Sequence, residues 1–350
     1  MTRLACVGSL ALLLSALLFV APPPLAQTAK LVTESYHVPA RDPGIQLYVR
    51  NKRPEGMSQF GAERIVLFVH GATGPSESSF DLALDGLSWM DYIAQHGFDV
   101  YLMDVRGYGA STRPPEMSQP ATENPPIVNT DTAVRDVSAV VDHILARRSV
   151  SRINLLGWSW GTVLMAAYTA QNNDKVERLV LYAPVWLRTA SSATAAPTPL
   201  GAYRTLTKEA IDRQRQDGRQ LVPPEKQKAL APAEWSEAGW RALLATDPVG
   251  AAQTPPVVRS PNGVTEDGRK YWSAGTPYYD PARITVPVQL ILAEWDAGTP
   301  LYMAQALFEK LTNATLKRHV VIGQGTHAVL LERNRVQLFR EVQLFLEEPR

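Results

Sequence analysis

The chain has 350 residues, 45% hydrophobic and 20% charged, a composition that suits one large α/β domain with an insertion or two ordinary domains. Its 35 Lys and Arg balance 34 Asp and Glu, leaving a formal charge of +1. There is no basic block, acidic tail or fixed-period repeat, so nothing favours nucleic acid or an anionic membrane as a partner.

In chain order, residues 1–26 read as a cleavable export signal. Arg3 supplies a positive start, residues 7–20 form an uncharged, mostly Leu/Ala run, and Pro22, Pro23 and Pro24 break it before small residues that suit cleavage near Ala26 or Ala29. The run is shorter than the ~20 residues of a spanning helix, so no stable membrane anchor is expected after cleavage. The product is then expected outside the cytoplasm, periplasmic or secreted. The only cysteine, Cys6, lies in this segment. A processed chain would carry no thiol, which excludes thiol catalysis, disulfides and cysteine-ligated zinc.

Short apolar runs bounded by turn signals then predict strands at 33–38, 45–50, 65–69, 100–103, 153–156, 179–182, 288–292 and 318–322. The central runs are continuously apolar, as expected when helices cover both faces of a parallel sheet. Helical spacing separates them. Val134, Val137, Val140, Val141, Ile144 and Leu145 mark a helix over 131–148, with others at 162–172 and 336–348. This alternation predicts an α/β fold with a mainly parallel, eight-stranded, doubly wound sheet.

Residues 188–283 break the rhythm. No clear apolar strand is visible there. Two helices are predicted, at 206–216 and 232–246, among Trp235, Trp240, Trp272, Tyr203, Tyr271, Tyr278 and Tyr279. Large aliphatic residues are too few for an independent core, so the stretch is expected to be a helical cap resting its aromatics on the sheet domain. The core is then residues 27–187 and 284–350.

Gly157-Trp158-Ser159-Trp160-Gly161 follows the strand at 153–156 and opens the next helix. A serine on a strained strand-to-helix turn projects its hydroxyl above the sheet, and glycines either side allow strand and helix to approach closely. The helix N-terminus favours developing negative charge. Three fixed residues alone arise by chance in roughly one such chain in ten, so partners must decide.

A serine nucleophile needs a base and an orienting acid. Downstream of Ser159 stand only His319, inside a strand pattern, and His327, in the loop between the last strand and last helix. The loop position favours His327. Asp296, just past the strand at 288–292, is the candidate acid, with Glu294 and Asp280 next. A loop at His70-Gly71-Ala72-Thr73-Gly74 can aim the Ala72 N–H at an oxyanion, with the Trp160 N–H as second donor. His70 then organises the loop. His37, His96 and His143 are isolated and give no metal-ligand spacing, and no cofactor is expected.

Five marks in order resemble the α/β-hydrolase superfamily over about residues 45–345: the His70–Gly74 loop, Asp104-Val105-Arg106-Gly107-Tyr108-Gly109, the Ser159 elbow, the strand running to Asp296, and Gly325-Thr326-His327. The resemblance implies a Ser159–His327–Asp296 triad acting on a small-molecule ester or amide, with the Asp104–Gly109 segment structural. The loop has His-Gly-Ala-Thr where many lipases have His-Gly-Gly-Gly, and Ala293 stands where a glycine is usual. Gly-x-Ser-Trp-Gly also resembles proline iminopeptidases, which keeps an amidase or aminopeptidase beside the esterase. A non-catalytic binding protein on the same scaffold is the third reading.

Overall fold

The computed structural model describes residues 30–188 and 199–349. The expected export signal and Cys6 lie outside the described residues, as do residues 189–198 of the expected cap.

Among the described residues ten strands form: β1 (Leu31–Pro39), β2 (Gln46–Pro54), β3 (Ile65–Val69), β4 (Asp99–Met103), β5 (Ile153–Trp158), β6 (Val176–Tyr182), β7 (Tyr203–Thr207), β8 (Val257–Pro261), β9 (Val288–Ala293) and β10 (Lys317–Ile322). The helices are α1 (Glu77–Phe80), α2 (Trp89–Gln95), α3 (Thr130–Arg148), α4 (Trp160–Thr169), α5 (Lys208–Asp217), α6 (Ala233–Ala245), α7 (Pro248–Ala251), α8 (Gly263–Lys270), α9 (Leu301–Lys310) and α10 (Arg335–Glu347).

Eight strands build one sheet in the order β1-β2-β4-β3-β5-β6-β9-β10. β1–β2 and β2–β4 are antiparallel and every other pair is parallel, so the expected mainly parallel, doubly wound sheet is present. Apolar runs on the central strands serve both faces. On β3, Ile65, Leu67 and Val69 join the cluster under α3, α4 and α9, while Val66 and Phe68 join that under α1, α2 and α10. α3 begins where Asn129 accepts a hydrogen bond from Thr132 N at 3.0 Å, and stops at Ser149, which adopts a left-handed conformation at φ 52°. It buries Val137, Val140, Val141 and Ile144, four residues of its predicted stripe. Among the described residues no helix is long and apolar enough to cross a membrane.

The insertion between β6 and β9 is not purely helical, which corrects the expected helical cap. α5 and α6 fall where helices were predicted, but β7 and β8 pair antiparallel from Tyr203↔Pro261 to Thr207↔Val257. Leu206 is the only large aliphatic residue of β7, so no apolar run advertised it. Its Tyr and Thr favour a strand only once a partner some fifty residues away supplies the ladder. The apolar clusters here are small: Ile211, Trp240, Leu243 and Val258 form one, and Val222 and Leu230 pack with Trp295 in another. Polar contacts do much of the fastening. Buried Arg259 binds Asp247 at 2.6 Å and donates to Met117 O at 2.7 Å, and Ser260 Oγ donates to Thr73 O at 2.7 Å.

Candidate active site

Ser159 is the single residue between β5 and α4. Its backbone stands at φ 54°, ψ −118°, a region that side chains rarely adopt. Three hydrogen bonds hold it there. Ser159 N donates to Tyr182 O at 2.9 Å, and Ser159 O accepts from Thr162 N at 2.9 Å and Thr162 Oγ1 at 2.5 Å. The flanking glycines are obligatory: a Cβ on Gly157 would lie 2.2 Å from Gly161 O, and one on Gly161 would lie 2.5 Å from Val69 O. Such strain, of order 1–3 kcal/mol, persists only where packing over-determines it.

Parallel register brings the other groups to the same edge. Ile322 of β10 pairs with Ala293 of β9, so the loops carrying His327 and Asp296 leave the sheet side by side. His327 Nδ1 lies 3.0 and 2.9 Å from the two Asp296 carboxylate oxygens. Asp296 is only 2% exposed and also accepts from Thr299 N at 2.7 Å and Thr299 Oγ1 at 2.9 Å. A carboxylate only accepts, so Nδ1 carries the proton and Nε2 presents its lone pair. Burial resists charging of the imidazole. The Asp296 carboxylate, with a smaller pull from Glu332, outweighs that and holds the His327 pKa above its ordinary range. The His327 carbonyl is fixed from below by Tyr182 Oη at 2.8 Å and Trp158 Nε1 at 3.2 Å. Thr326, one residue earlier, donates to Glu332 through both N (2.9 Å) and Oγ1 (2.5 Å).

The loop after β3 lies against the serine: a Cβ on Gly71 would sit 3.2 Å from Ser159 Cβ. His70 Nε2 accepts from Val105 N at 3.1 Å, so Nδ1 is the protonated nitrogen and donates to Gly71 O at 2.7 Å. Burial keeps this imidazole neutral and drops its pKa to about 4. It organises the loop, as expected. The Ala72 carbonyl accepts from Tyr108 Oη at 2.9 Å and Arg204 Nη2 at 2.5 Å. Among the described residues neither the Ala72 N–H nor the Trp160 N–H donates to a protein acceptor.

Ala72, Ser159, Trp160 and His327 line one pocket of about 410 Å3. No hydrogen bond joins Ser159 Oγ to His327 among the described residues, and in a substrate-free enzyme such contacts are commonly long. The rest of the wall includes Val185, Val264, Trp272 and Met303, with Arg188 and Arg269 as its charged members and no Asp or Glu.

The rival candidates are placed elsewhere. Glu294 accepts from Gln324 N at 2.8 Å in an exposed setting, and Asp280 accepts from Ala282 N at 3.0 Å. His319 remains a strand residue beside Phe308. The Asp104–Gly109 segment is structural. Buried Asp104 accepts from Ser76 N and Ala110 N at 2.9 and 3.2 Å, and burial pushes its carboxyl up to about 7. Sequence reasoning missed Thr299, Tyr108, Arg204, Trp158 and Tyr182 as groups that fix the site. Thr299, three residues past Asp296, was locally visible; the others act across long stretches of chain. Among the described residues no group of three or more His, Cys, Asp or Glu side chains is arranged to hold a metal ion.

A family profile described as the alpha/beta hydrolase fold matches residues 64–334. Protein phosphatase methylesterase 1 of Candida albicans is 28% identical over 134 residues, 38% of this chain and 32% of the relative, so the match spans about a third of that protein's length. A serine hydrolase of the polyaromatic-hydrocarbon-degrading bacterium Cycloclasticus zankles superposes with a TM-score of 0.58 at 15% identity, covering 90% of this chain and 98% of that one. An esterase of Exiguobacterium antarcticum gives 0.55 at 18% identity, covering 90% and 100%. At these identities the structural likeness speaks to the fold alone.

Proposed function

The chain belongs to the alpha/beta hydrolase family, and we propose that it is a serine hydrolase cleaving carboxylic esters through an acyl-enzyme. The observation that carries this reading is the Asp296–His327 pair opening onto the same pocket as a serine held at φ 54°. His327 Nε2 takes the Ser159 proton as Oγ attacks the ester carbonyl carbon. The resulting oxyanion accepts from the Ala72 and Trp160 N–H groups, which have no other acceptor among the described residues. As the tetrahedral intermediate collapses, His327 returns the proton to the departing alkoxide, and the alcohol leaves. Water repeats the cycle on the acyl-enzyme: His327 takes its proton, the acid is released and Ser159 is regenerated. Asp296 keeps the imidazole in its Nδ1–H tautomer and stabilises its cation.

A pocket wall with two arginines and no carboxylate supports the ester over the aminopeptidase, because a free ammonium terminus would find no acceptor of opposite charge. The insertion forms one side of this pocket, in keeping with a cap, and the N-terminal segment with export. Turnover of p-nitrophenyl esters should exceed that of aminoacyl p-nitroanilides by at least about a hundredfold in kcat/KM. Faster anilide turnover would move the assignment to the amidase.

A further inference from the structure

We propose that the Ser159 pocket selects esters carrying a carboxylate, and that Arg188 is the residue that recognises it. This rests on the serine-hydrolase reading and adds a substrate class to it.

Arg188 is half-buried and lines the pocket with Ser159 and His327. Its backbone is fixed by a hydrogen bond from Arg188 N to Trp272 O at 2.9 Å. Its guanidinium donates to Gly298 O at 3.2 Å. Gly298 is packed so closely on the candidate triad that a Cβ there would lie 3.1 Å from His327 Nδ1 and 3.4 Å from Asp296 Oδ1. A fixed positive charge is therefore held beside the reacting groups.

Among the described residues Arg188 lacks a counter-charge inside the pocket wall; Arg204 and Arg335 also bind no carboxylate, but they lie outside that wall, Arg204 donating to the Pro261 and Ala72 carbonyls and Arg335 to that of Leu84. Arg50, Arg106, Arg148 and Arg259, comparably or more buried, each bind a carboxylate at 3.0 Å or less. Arg188 has no carboxylate partner among the described residues. The ten residues that follow it, 189–198, contain no Asp or Glu that could supply one. A guanidinium offers five donors in a planar fork, and one carbonyl oxygen uses one of them. The remaining donors match a carboxylate, which accepts two parallel bonds from such a fork. Thr265 and Ser273 add hydroxyls to the same wall, and Arg269 stands exposed at its edge. Val264, Trp272 and Met303 supply an apolar surface for a short chain between the reacting carbonyl and the anion. The substrate is thus a compact ester with an apolar body and a terminal carboxylate, on its acyl or its alcohol side.

Turnover and binding test this separately. Monomethyl adipate against methyl hexanoate, and O-acetyl-4-hydroxybutanoate against butyl acetate, place the charge on the acyl or the alcohol side at similar size. The wild-type chain should prefer the anionic member of at least one pair by about tenfold in kcat/KM, less at high salt. Arg188→Gln should bring that ratio near one, and Arg188→Lys should keep part of it. Ligand-observed NMR titration with hexanoate and 1-hexanol reads the same preference without catalysis, and Arg188→Gln should weaken hexanoate about tenfold more than hexanol. Equal turnover within both pairs, or equal binding of hexanoate and hexanol, overturns the proposal. So does an Arg188→Gln effect that falls equally on charged and neutral ligands, the mark of a purely structural arginine. Labelling of Ser159 by a neutral fluorophosphonate in the wild-type chain reports on the hydrolase reading alone, so the two can fail independently.

Discussion

Beneath Ser159 the sheet domain packs backbone on backbone, whereas the insertion facing it is pinned in part by polar staples. At the elbow, backbone meets backbone: Gly157, Gly161 and the β3 carbonyls touch where no side chain fits. Among the described residues the insertion's own apolar clusters are small, one of four buried residues and one joining Val222 and Leu230 to Trp295, and Arg259–Asp247 and Ser260–Thr73 add polar fastening. Placement of the candidate catalytic groups is therefore the work of the sheet. The insertion meets the candidate site where Arg204 grips the Ala72 carbonyl and along the pocket wall that Val264 and Trp272 help to form.

The largest effect should come from the sheet side. Asp296→Asn should lower kcat by about 10⁴-fold, since an amide can present a donor to Nδ1 and favour the wrong tautomer. The pH profile gives a second reading. His327 must be neutral to accept the serine proton, so activity falls as pH drops through its pKa, which the Asp296 carboxylate holds above the ordinary histidine range. Loss of that carboxylate should move the acidic limb of residual activity to lower pH; a limb that stays in place would show that Asp296 does not set the His327 charge.

A pair of glycine substitutions tests packing directly. Gly161→Ala puts a Cβ 2.5 Å from Val69 O and should destabilise the fold by about 3 kcal/mol in chemical denaturation. Gly239→Ala in α6 meets the end of Arg215 at 3.3 Å and Leu82 Cδ2 at an ordinary 4.0 Å, and should cost less than about 0.5 kcal/mol. Similar losses at both sites would erase the contrast between the two regions.

Smaller still is the effect expected where they touch. Arg204→Met should lower kcat by about tenfold with KM little changed, because the Ala72 loop loses one of two clamps while Tyr108 keeps the other. An equal change in KM would mean that Arg204 serves substrate binding instead.

The sequence carried the sheet domain because its signals are local. A continuously apolar run such as β3 is buried on both faces by its own composition, and the Ser159 elbow announces itself through two glycines that only a close approach requires. His327 and Asp296 were legible because each follows a recognisable strand. β7 and β8 were not, since each is a strand only by virtue of the other. The Arg204 and Tyr108 bonds to Ala72, and the Trp158 and Tyr182 bonds to the His327 carbonyl, join residues separated by 36 to 169 positions. No periodicity or spacing marks such contacts before the chain is folded.

The most direct test of the account is the site of reaction itself. The protein should be treated with a fluorophosphonate and its peptides mapped by mass spectrometry, alongside Ser159→Ala of confirmed wild-type melting temperature. A stoichiometric adduct on Ser159, absent from the folded variant together with esterase activity, is the predicted result. An adduct on another residue, or undiminished labelling and turnover in Ser159→Ala, would contradict it.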